Sequence, residues 1–275
     1  MARIKQNRTD DARLERVAGR HNPRIKALRQ AFRQGELTER SECAIEGVKL
    51  VEEALRSQQK VTTVFFAEFA SAVAERLLSQ LGARVETLLL PDALFKSIVP
   101  SESPQGVAAL VEVRVPPASE SLERKMDGPF VVAAGLQDPG NLGTILRSAE
   151  AFGCAGVFLT EGTVSPYNWK VLRGSAGSIF RVPAMRVHSR ELVPLLKGAE
   201  VRMVAASSHH GAALPEANLR LPLAIFIGNE GAGIPHELLH QMEETVFIPQ
   251  SSAVESLNAG VAASIILYEM ARQRR

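Results

Sequence analysis

The 275-residue sequence predicts an α/β protein with a mostly parallel sheet in its C-terminal half and a smaller α/β domain before it. Two observations lead to this prediction. Short apolar runs alternate with helical patterns throughout the second half, which is typical of a parallel sheet with helices on both faces. Residues 114–128, with two adjacent prolines, serines and several charges, separate that half from an earlier region where strand and helix patterns also alternate.

These boundaries divide the chain into a basic arm over residues 1–22, a small domain over 23–113, a linker over 114–128 and a larger domain over 129–275. In the small domain, the apolar spacing predicts helices at Arg24–Arg33, Ser71–Leu81 and Asp92–Ile98 and strands at Val61–Phe66, Val85–Leu90 and Gly106–Val113. The apolar residues within Ser41–Leu55 also recur at near-helical spacing.

The larger domain opens with Phe130–Ala134, an apolar run without polar alternation that predicts a strand buried on both faces. Further strands are predicted at Gly156–Leu159, Pro183–Val187, Val201–Ala206, Leu221–Ile227 and Thr245–Ile248. Helices are predicted at Leu142–Phe152, Trp169–Ser175, Glu191–Leu196, His236–Met242 and Asn258–Arg274. The last of these helices is apolar around most of its circumference, so we expect it to pack on two sides and to form a homodimer.

Charge is unevenly distributed along the chain, although the formal net charge is only +2. Between Met1 and Gly35, ten Lys or Arg face three acidic residues, so this segment carries +7 and the remainder −5. A basic arm of this kind suits a protein that binds a polyanion, but a solvated terminus has the same composition.

The cysteines and the distribution of apolar residues indicate the cellular compartment in which we expect the protein. The two cysteines, Cys43 and Cys154, lie in apolar surroundings without CxxC spacing, which argues against a disulfide scaffold and fits a reducing cytoplasm. The charged N-terminus has no signal-peptide pattern, and no apolar run approaches the roughly 18–20 residues that span a bilayer. We therefore expect a cytoplasmic protein without membrane contact.

Three loops at the ends of predicted strands carry candidate functional residues, because ligands of open parallel sheets bind at the carboxyl ends of the strands. The first, GLQDPGNLGTILRSAEAFG (Gly135–Gly153), leads into a helix and places Arg147 off the apolar stripe of that helix. The second, IGNEGAGIP (Ile227–Pro235), surrounds Glu230 with three glycines, which allow a ligand to approach the backbone closely. The third lies within Ile248–Glu269, where a serine-rich loop precedes the final helix.

A purely structural interpretation is open for each loop. Asn141 and Asn258 are suitable helix caps, with Ser256 a weaker one, and Arg147 is then an ordinary surface residue. The second loop is then a glycine-rich turn, since its spacing matches neither a dinucleotide-binding loop nor a phosphate-binding P-loop.

Together the three loops resemble motifs one, two and three of the SpoU/TrmH-type RNA 2′-O-ribose methyltransferases, within the SPOUT superfamily. The resemblance covers Phe130 to Arg274, with the motifs in the same order and each at a strand end. More weakly, Glu46–Leu55 and SPQGVAALV (Ser103–Val111) are similar to the small substrate-binding domain of many members, which is itself similar to an RNA-binding ribosomal protein fold. The resemblance implies a deep trefoil knot in the C-terminal domain, with S-adenosylmethionine bound in it.

The resemblance also implies roles for individual residues. The catalytic positions that it implies are Asn141, Arg147, Glu230, Ser256 and Asn258. The cofactor-binding positions that it implies are Gly228, Ile248 and Leu257, through backbone groups, with Ser207 nearby. Arg147 is the candidate base, but arginine normally stays protonated, so a clamp on the RNA phosphate is the alternative. No metal site is expected, because His209 and His210 lie outside the motifs and His236 with His240 lack further ligands.

The expected function is therefore methyl transfer from S-adenosylmethionine to a ribose 2′-hydroxyl. That target excludes DNA and makes RNA the partner. Ribosomal RNA is preferred over transfer RNA because a separate small N-terminal domain is present. The alternatives are a base-modifying member of the superfamily and a non-catalytic RNA-binding assembly factor.

Overall fold

The structure, a computed structural model, describes residues 14–17, 19–251 and 255–274. Residues 1–13 and 18 of the predicted basic arm lie outside this range. The chain divides into two compact units, one comprising the residues up to Arg114 with Tyr167–Phe180, the other Val115–Pro166 with Arg181–Arg275. Tyr167–Phe180 thus belongs to the first unit, although it lies in the sequence range expected for the larger domain.

The strands are β1 (Glu15–Arg16), β2 (Glu42–Glu46), β3 (Lys60–Ala67), β4 (Glu86–Leu90), β5 (Val107–Glu112), β6 (Phe130–Ala134), β7 (Gly156–Leu159), β8 (Ala184–Arg186), β9 (Arg202–Ser207), β10 (Ala212–Ala213), β11 (Leu223–Gly228) and β12 (Glu244–Phe247). The helices are α1 (Pro23–Gln34), α2 (Val48–Arg56), α3 (Ser71–Leu78), α4 (Asp92–Lys96), α5 (Ala118–Leu122), α6 (Pro139–Ala151), α7 (Trp169–Ser175), α8 (Ser189–Gly198), α9 (His236–Leu239) and α10 (Ala259–Gln273). In the described part of the chain, no helix is long and apolar enough to cross a membrane.

The first unit is built on a mixed five-stranded sheet in the order β1-β4-β3-β5-β2. Strands β1, β4 and β3 pair in parallel, whereas β5 pairs antiparallel with both β3 and β2. Helix α1 covers one face and buries Ile25 and Leu28 against Phe65 and Leu88. Residues at both ends determine where this helix begins and ends. The Asn22 side chain caps the first turn, and Gly35 ends the helix with φ at 65°.

The apolar residues at near-helical spacing within Ser41–Leu55 begin at Val48 and do lie on a helix, but the first part of that stretch is not helical. Glu42–Glu46 forms β2, which pairs antiparallel with β5 and is mostly buried. Gly47, at φ 99°, then turns the chain into α2, which spans only Val48–Arg56. Pairing with a strand more than sixty residues away decides this segment, and local spacing carries no sign of it.

Arg24, one of the basic residues before Gly35, has a structural role in the first unit. Its guanidinium is only 11% exposed and lies 2.7 Å from the Glu42 carboxylate, which is 2% exposed. It also donates to Thr62 and Thr63 at 2.7 Å each. This cation therefore belongs to the interior of the first unit, so not every basic residue before Gly35 is available to a polyanion.

The second unit contains a seven-stranded sheet in the order β10-β12-β9-β11-β6-β7-β8, and every pairing in it is parallel. All residues of β6 are fully buried, as the apolar run predicts. One face packs against α5, α8 and α9, through Leu122, Leu192 and Leu238 among others. Helices α6 and α10 pack together and adjoin β7 and β11. The predicted α/β architecture with a parallel C-terminal sheet is confirmed.

Two short elements of this unit were not predicted. Helix α5 lies within residues 114–128, where a linker is expected, and buries Leu122 in the core. The two-residue strand β10 pairs with β12 at the edge of the sheet. Both are too short to show a hydrophobic period of their own.

Candidate active site

The three motif loops leave the sheet from neighbouring strands. Strands β12, β9, β11 and β6 lie side by side, so their carboxyl ends meet at one edge of the second unit. The chain runs outward from β6 through β7 and β8 and then crosses back to β9, and β11 later inserts between β6 and β9. Reversals of this kind leave a crevice at the strand ends where ligands bind.

The first loop, between β6 and α6, aims Asn141 at the second loop. Asp138, not Asn141, caps α6, since its carboxylate accepts the Asn141 backbone N–H at 2.8 Å and Pro139 occupies the first turn. The interpretation of Asn141 as a helix cap is therefore wrong. The buried Asn141 amide instead donates a hydrogen bond to the Glu230 carboxylate.

The second loop is held in shape by Asn229, which is not among the predicted site residues. Its side-chain oxygen accepts the backbone N–H groups of Gly231 and Ala232 at 2.9 and 3.1 Å. Its amide nitrogen donates to the carbonyl of Gly135, at the end of β6, at 3.1 Å. Paired backbone hydrogen bonds between Asn229 and Gly233 close the loop. An asparagine beside glycines indicates a turn, but only the fold places the Gly135 carbonyl within its reach.

Gly228 lies where no side chain fits. A Cβ atom there would lie 2.3 Å from the Gly233 carbonyl carbon and 2.4 Å from the Ile234 nitrogen. The chain therefore folds directly back over the end of β11, and the backbone at this turn is open to close approach by a ligand.

The third loop begins after β12 and ends at Asn258, whose side chain caps α10 by accepting the Val261 N–H at 3.1 Å. Residues 252–254 within it lie outside the described range. At its start, α10 packs closely on α6, because a Cβ on Gly260 would lie 3.1–3.2 Å from Thr144 and Asn141. One turn further on, the Ser264 and Ser148 hydroxyls lie 2.7 Å apart. The small residues of α10 therefore bring the third loop next to the first.

A cavity of about 470 Å³ lies at this edge, within the ordinary size range of ligand pockets. The predicted site residues that line it are Ser207, Gly228, Glu230, Ile248, Ser256 and Leu257. Its walls combine apolar side chains with backbone groups of the glycine-rich second loop. An adenosine-containing cofactor fits such a wall, since Gly228 leaves room at the turn and the loop supplies polar backbone groups.

Arg147, Asn141 and Asn258 do not line this cavity. Asn141 reaches it through Glu230, and Asn258 lies at the start of α10. The Arg147 side chain is exposed and makes no hydrogen bond or ion pair with any residue that the structure describes. The structure therefore brings six predicted residues together at one cavity and leaves Arg147 as an unengaged cation on α6.

The histidines do not assemble into a metal centre. His210 lines the cavity, and its backbone N–H donates to the Ser207 hydroxyl at 3.2 Å. His236 and His240 form an edge-to-face ring pair with centroids 4.2 Å apart. Among the described residues, no group of three or more His, Cys, Asp or Glu side chains could hold a metal ion.

Comparison with known protein families gives matches in both halves of the chain. Residues 128–268, which contain all three motif loops, match the SpoU rRNA Methylase family. The chain belongs to this family. Residues 22–109 of this SpoU-family protein match the MRM3-like substrate binding domain. The family resemblance of the three motifs, and the weaker resemblance of the small domain, are confirmed.

Individual relatives span nearly the whole SpoU-family chain. The 23S rRNA (guanosine(2553)-2′-O)-methyltransferase of Bacillus subtilis (strain 168) is 31% identical, with 94% of this chain and 99% of the relative covered. The 23S rRNA (uridine(2479)-2′-O)-methyltransferase of Streptomyces viridochromogenes is also 31% identical, covering 100% and 97%. The AdoMet-bound structure of an rRNA methyltransferase from Sinorhizobium meliloti superposes with a TM-score of 0.81 at 28% identity, covering 95% and 98%.

Proposed function

We propose that this SpoU-family chain transfers a methyl group from S-adenosylmethionine to a ribose 2′-hydroxyl of ribosomal RNA. The convergence of the three motif loops on one cavity at the carboxyl edge of the parallel sheet carries this conclusion. The predicted enzyme class and cofactor are confirmed, since two relatives are 2′-O-methyltransferases of 23S rRNA and a structural relative has the cofactor bound. The chain is an RNA 2′-O-methyltransferase.

The cofactor is held by backbone groups of Gly228, Ile248 and Leu257, with Ser207 on the same cavity wall. When bound, it supplies a methyl group that its sulfonium has already activated. The chain therefore has two tasks, to hold the ribose 2′-oxygen in line with that methyl group and to assist the loss of the hydroxyl proton.

Glu230 is oriented for the first task by Asn141. The Asn141 amide donates to one carboxylate oxygen, and Asn229 fixes the loop on which Glu230 stands. Glu230 lines the cavity, and its carboxylate retains lone pairs that can accept a hydrogen bond from a ribose hydroxyl.

Arg147 acts on the phosphate next to the target ribose. Its side chain is exposed, and no described residue engages it, so its fork of N–H donors is available to a phosphate or to the 2′-oxygen. We favour the phosphate clamp over a role as base, because a guanidinium offers only N–H donors; the hydroxyl proton then passes to the Glu230 carboxylate, which accepts the hydrogen bond of that hydroxyl. Asn258 assists through its amide N–H groups, since its oxygen already caps α10, and Ser256 lies on the cavity wall beside it.

The reaction is tested by incubating the full-length protein with labelled S-adenosylmethionine and ribosomal RNA that lacks the modification, followed by nucleoside analysis. We expect a single 2′-O-methylated nucleoside in 23S rRNA. Label in a base would favour a base-modifying member of the superfamily, label in transfer RNA alone would contradict the ribosomal substrate, and no label in any RNA would contradict the enzyme.

A trefoil knot in the second unit is part of this proposal. Its support is the return of the chain after β12 to pack α10 against α6, beside the first motif loop, together with the family membership. Mechanical extension of the chain between its termini tests it, because a knot that tightens leaves the extended chain shorter than its number of residues allows.

A homodimer through the second unit is also proposed. Val261, Ile265 and Tyr268 are 46%, 37% and 58% exposed and follow one another at helical spacing along α10. An apolar stripe of this kind on a helix is typical of a subunit interface.

A cytoplasmic location and the division of the sequence at residues 22, 113 and 128 stay predictions, as does the RNA-binding role of the arm over residues 1–22.

A further inference from the structure

A second and larger cavity lies entirely in the first unit and involves none of the three motif loops. It has a volume of about 1130 Å³ and opens between the start of α2, residues 100–105 and helix α7. None of its lining residues belongs to the site at the carboxyl edge of the parallel sheet. We call it the α2–α7 cleft.

The walls of this cleft are fixed to each other by close contacts. A Cβ on Gly177, just after α7, would lie 2.7 Å from the Glu53 side chain of α2. The Gln59 amide donates to the Phe180 carbonyl at 3.1 Å. At the other end of the segment, a Cβ on Gly35 would lie 3.2 Å from Asn168. The cleft is thus a preformed feature of the first unit.

Trp169 gives the cleft an aromatic wall. Its half-buried side chain packs against the core of the first unit and also lines the cleft, so its ring is held in place. The Lys170 ammonium lies over the face of this ring, 5.6 Å from its centroid, and its side chain is exposed, so a stacking base takes the place of the ammonium on that face. Nucleobases stack on aromatic rings that are held in this way, and a neighbouring cation suits the phosphate that follows the base.

The cleft is lined by four basic and four acidic side chains, but two of the acidic ones are already neutralised by arginines. Glu52 and Glu53 on its α2 wall are paired with Arg56 and Arg76, at 2.7–3.8 Å. Burial raises the pKa of Glu46, which accepts a hydrogen bond from the Ser101 hydroxyl at 2.9 Å. Arg173 lies near Glu46 and partly opposes that rise in its pKa. Lys49 and Lys170 form no ion pair with any described residue, while the exposed Glu102 adds one negative charge to the rim of the cleft.

We propose that the α2–α7 cleft binds an unpaired nucleotide of the RNA substrate, with the base on Trp169 and the flanking phosphates on Lys170 and Arg173. This inference rests on the proposed function for the identity of the polymer. It assigns a substrate contact to a helix that lies outside the small-domain match and outside the three motifs. The cleft holds part of the RNA at a place distinct from the reacting ribose.

The test uses the fact that Trp169 is the only tryptophan of the chain, so that intrinsic tryptophan fluorescence reports on this cleft alone. Full-length protein is titrated with a single-stranded oligoriboadenylate at several salt concentrations. We expect saturable quenching that weakens as salt rises. Lys170→Ala combined with Arg173→Ala should weaken the affinity about tenfold and lower the salt slope by about one for each phosphate that is no longer neutralised.

Arg84→Ala, an exposed basic residue of the first unit outside the cleft, is the matched control and should bind like the wild type. The two Trp169 variants lack the fluorophore, so their binding is measured by the anisotropy of a dye-labelled oligoriboadenylate, with the wild type measured in the same way. Trp169→Phe retains an aromatic ring and should bind better than Trp169→Ala, which by loss of stacking binds roughly ten- to a hundredfold more weakly than the wild type. Cofactor affinity, measured by calorimetry, should not change in any of these variants.

Oligonucleotide binding without any change in tryptophan emission, or unchanged affinity in the double variant, would overturn the proposal. Equal quenching by free adenosine monophosphate at the same concentration would replace it with a small-molecule site. Failure of methyl transfer by the wild type with quenching intact would count against the proposed function and not against the cleft.

Discussion

At the scale of single residues, the site depends on hydrogen bonds that join its loops. Asn229 connects the second loop to the end of β6, and Asn141 connects the first loop to Glu230. Each of these side chains acts between elements that are distant in sequence. The amide groups thereby fix the positions of the backbone groups and the carboxylate that face the cavity.

Gly228→Ala should displace the backbone of the second loop from its place in the cavity wall. The new Cβ would lie 2.3 Å from backbone atoms of the same loop, and relief of such a contact typically costs about 1–3 kcal/mol, so we expect cofactor affinity to fall by roughly ten- to a hundredfold. Gly231→Ala is the matched control, because the nearest atom to its Cβ would lie at an ordinary 3.7 Å. Calorimetric titration with S-adenosylmethionine measures both, and equal affinities would refute the role assigned to the Gly228 turn.

Glu42 should make the first unit sensitive to acid. Burial alone would raise the pKa of this carboxyl, but hydrogen bonds from Arg24 and Thr62 outweigh it and hold the pKa below its ordinary value of 4.5. The Glu42–Arg24 pair therefore stabilises the fold at neutral pH, and this contribution is lost as pH falls below about 4.5 through the lowered pKa.

Glu42→Gln should cost about 3 kcal/mol at pH 7, because it removes the buried partner of a nearly buried guanidinium, which then keeps, among the described residues, only the more exposed Glu86 as a charged partner, at 3.5 Å. The difference from wild type should shrink as pH falls, which urea unfolding at a series of pH values measures. Glu112→Gln removes an exposed partner of Lys60 and should cost less than about 1 kcal/mol. A Glu42→Gln effect that is independent of pH would exclude the ionised pair as its cause.

At the scale of elements, the sequence predicts best where burial imposes a continuous pattern. The central strands β6, β7 and β11 are buried on both faces and appear as apolar runs, so they are predicted at their observed places. The less buried β9 and β12 are also predicted to within two residues. Strand β2 was missed because its pairing with β5, and not its own spacing, makes it a strand.

Contacts between residues distant in sequence also determine part of the site, and local patterns do not predict them. Strand ends and glycine-rich turns indicate the motif loops, but the role of Asn229 depends on the position of the Gly135 carbonyl, which no local pattern shows. The assignment of Tyr167–Phe180 to the first unit likewise depends on packing against α2 and β2, which are far away in sequence.

The exposed apolar stripe of helix α10 can be tested as a dimer interface by a single substitution. Ile265→Glu places a charge in the middle of the exposed stripe, so we expect the homodimer to dissociate while the fold is retained. Light scattering at micromolar concentration should give twice the 29.8 kDa chain mass for the wild type and the chain mass for the variant. Leu195→Glu, on an exposed position of α8, is the control and should leave the mass unchanged. A monomeric wild type would rule out the interface.

At the scale of the whole molecule, we expect RNA binding to be shared by the basic N-terminal segment, the first unit and the second unit. Deleting Met1–Arg13 removes four of the ten basic residues before Gly35 without removing β1. We expect weaker RNA binding and a salt slope that falls by about one for each phosphate that the arm neutralises. Replacing Arg3, Lys5, Arg8 and Arg13 with glutamine should have the same effect at full length. An unchanged slope in both would show that the arm does not bind RNA.

Single-turnover methylation with Arg147→Ala tests whether the three motif loops form the site of methyl transfer to a ribose. Arg147 is exposed on α6 and opens no core cavity when truncated, and alanine favours the helix. We predict a loss of about 10²–10⁴-fold in rate, with cofactor affinity unchanged, and a similar loss for Arg147→Lys. Arg190→Ala, a highly exposed control on α8, should react like the wild type. Near-normal turnover by Arg147→Ala would contradict this account of the active site.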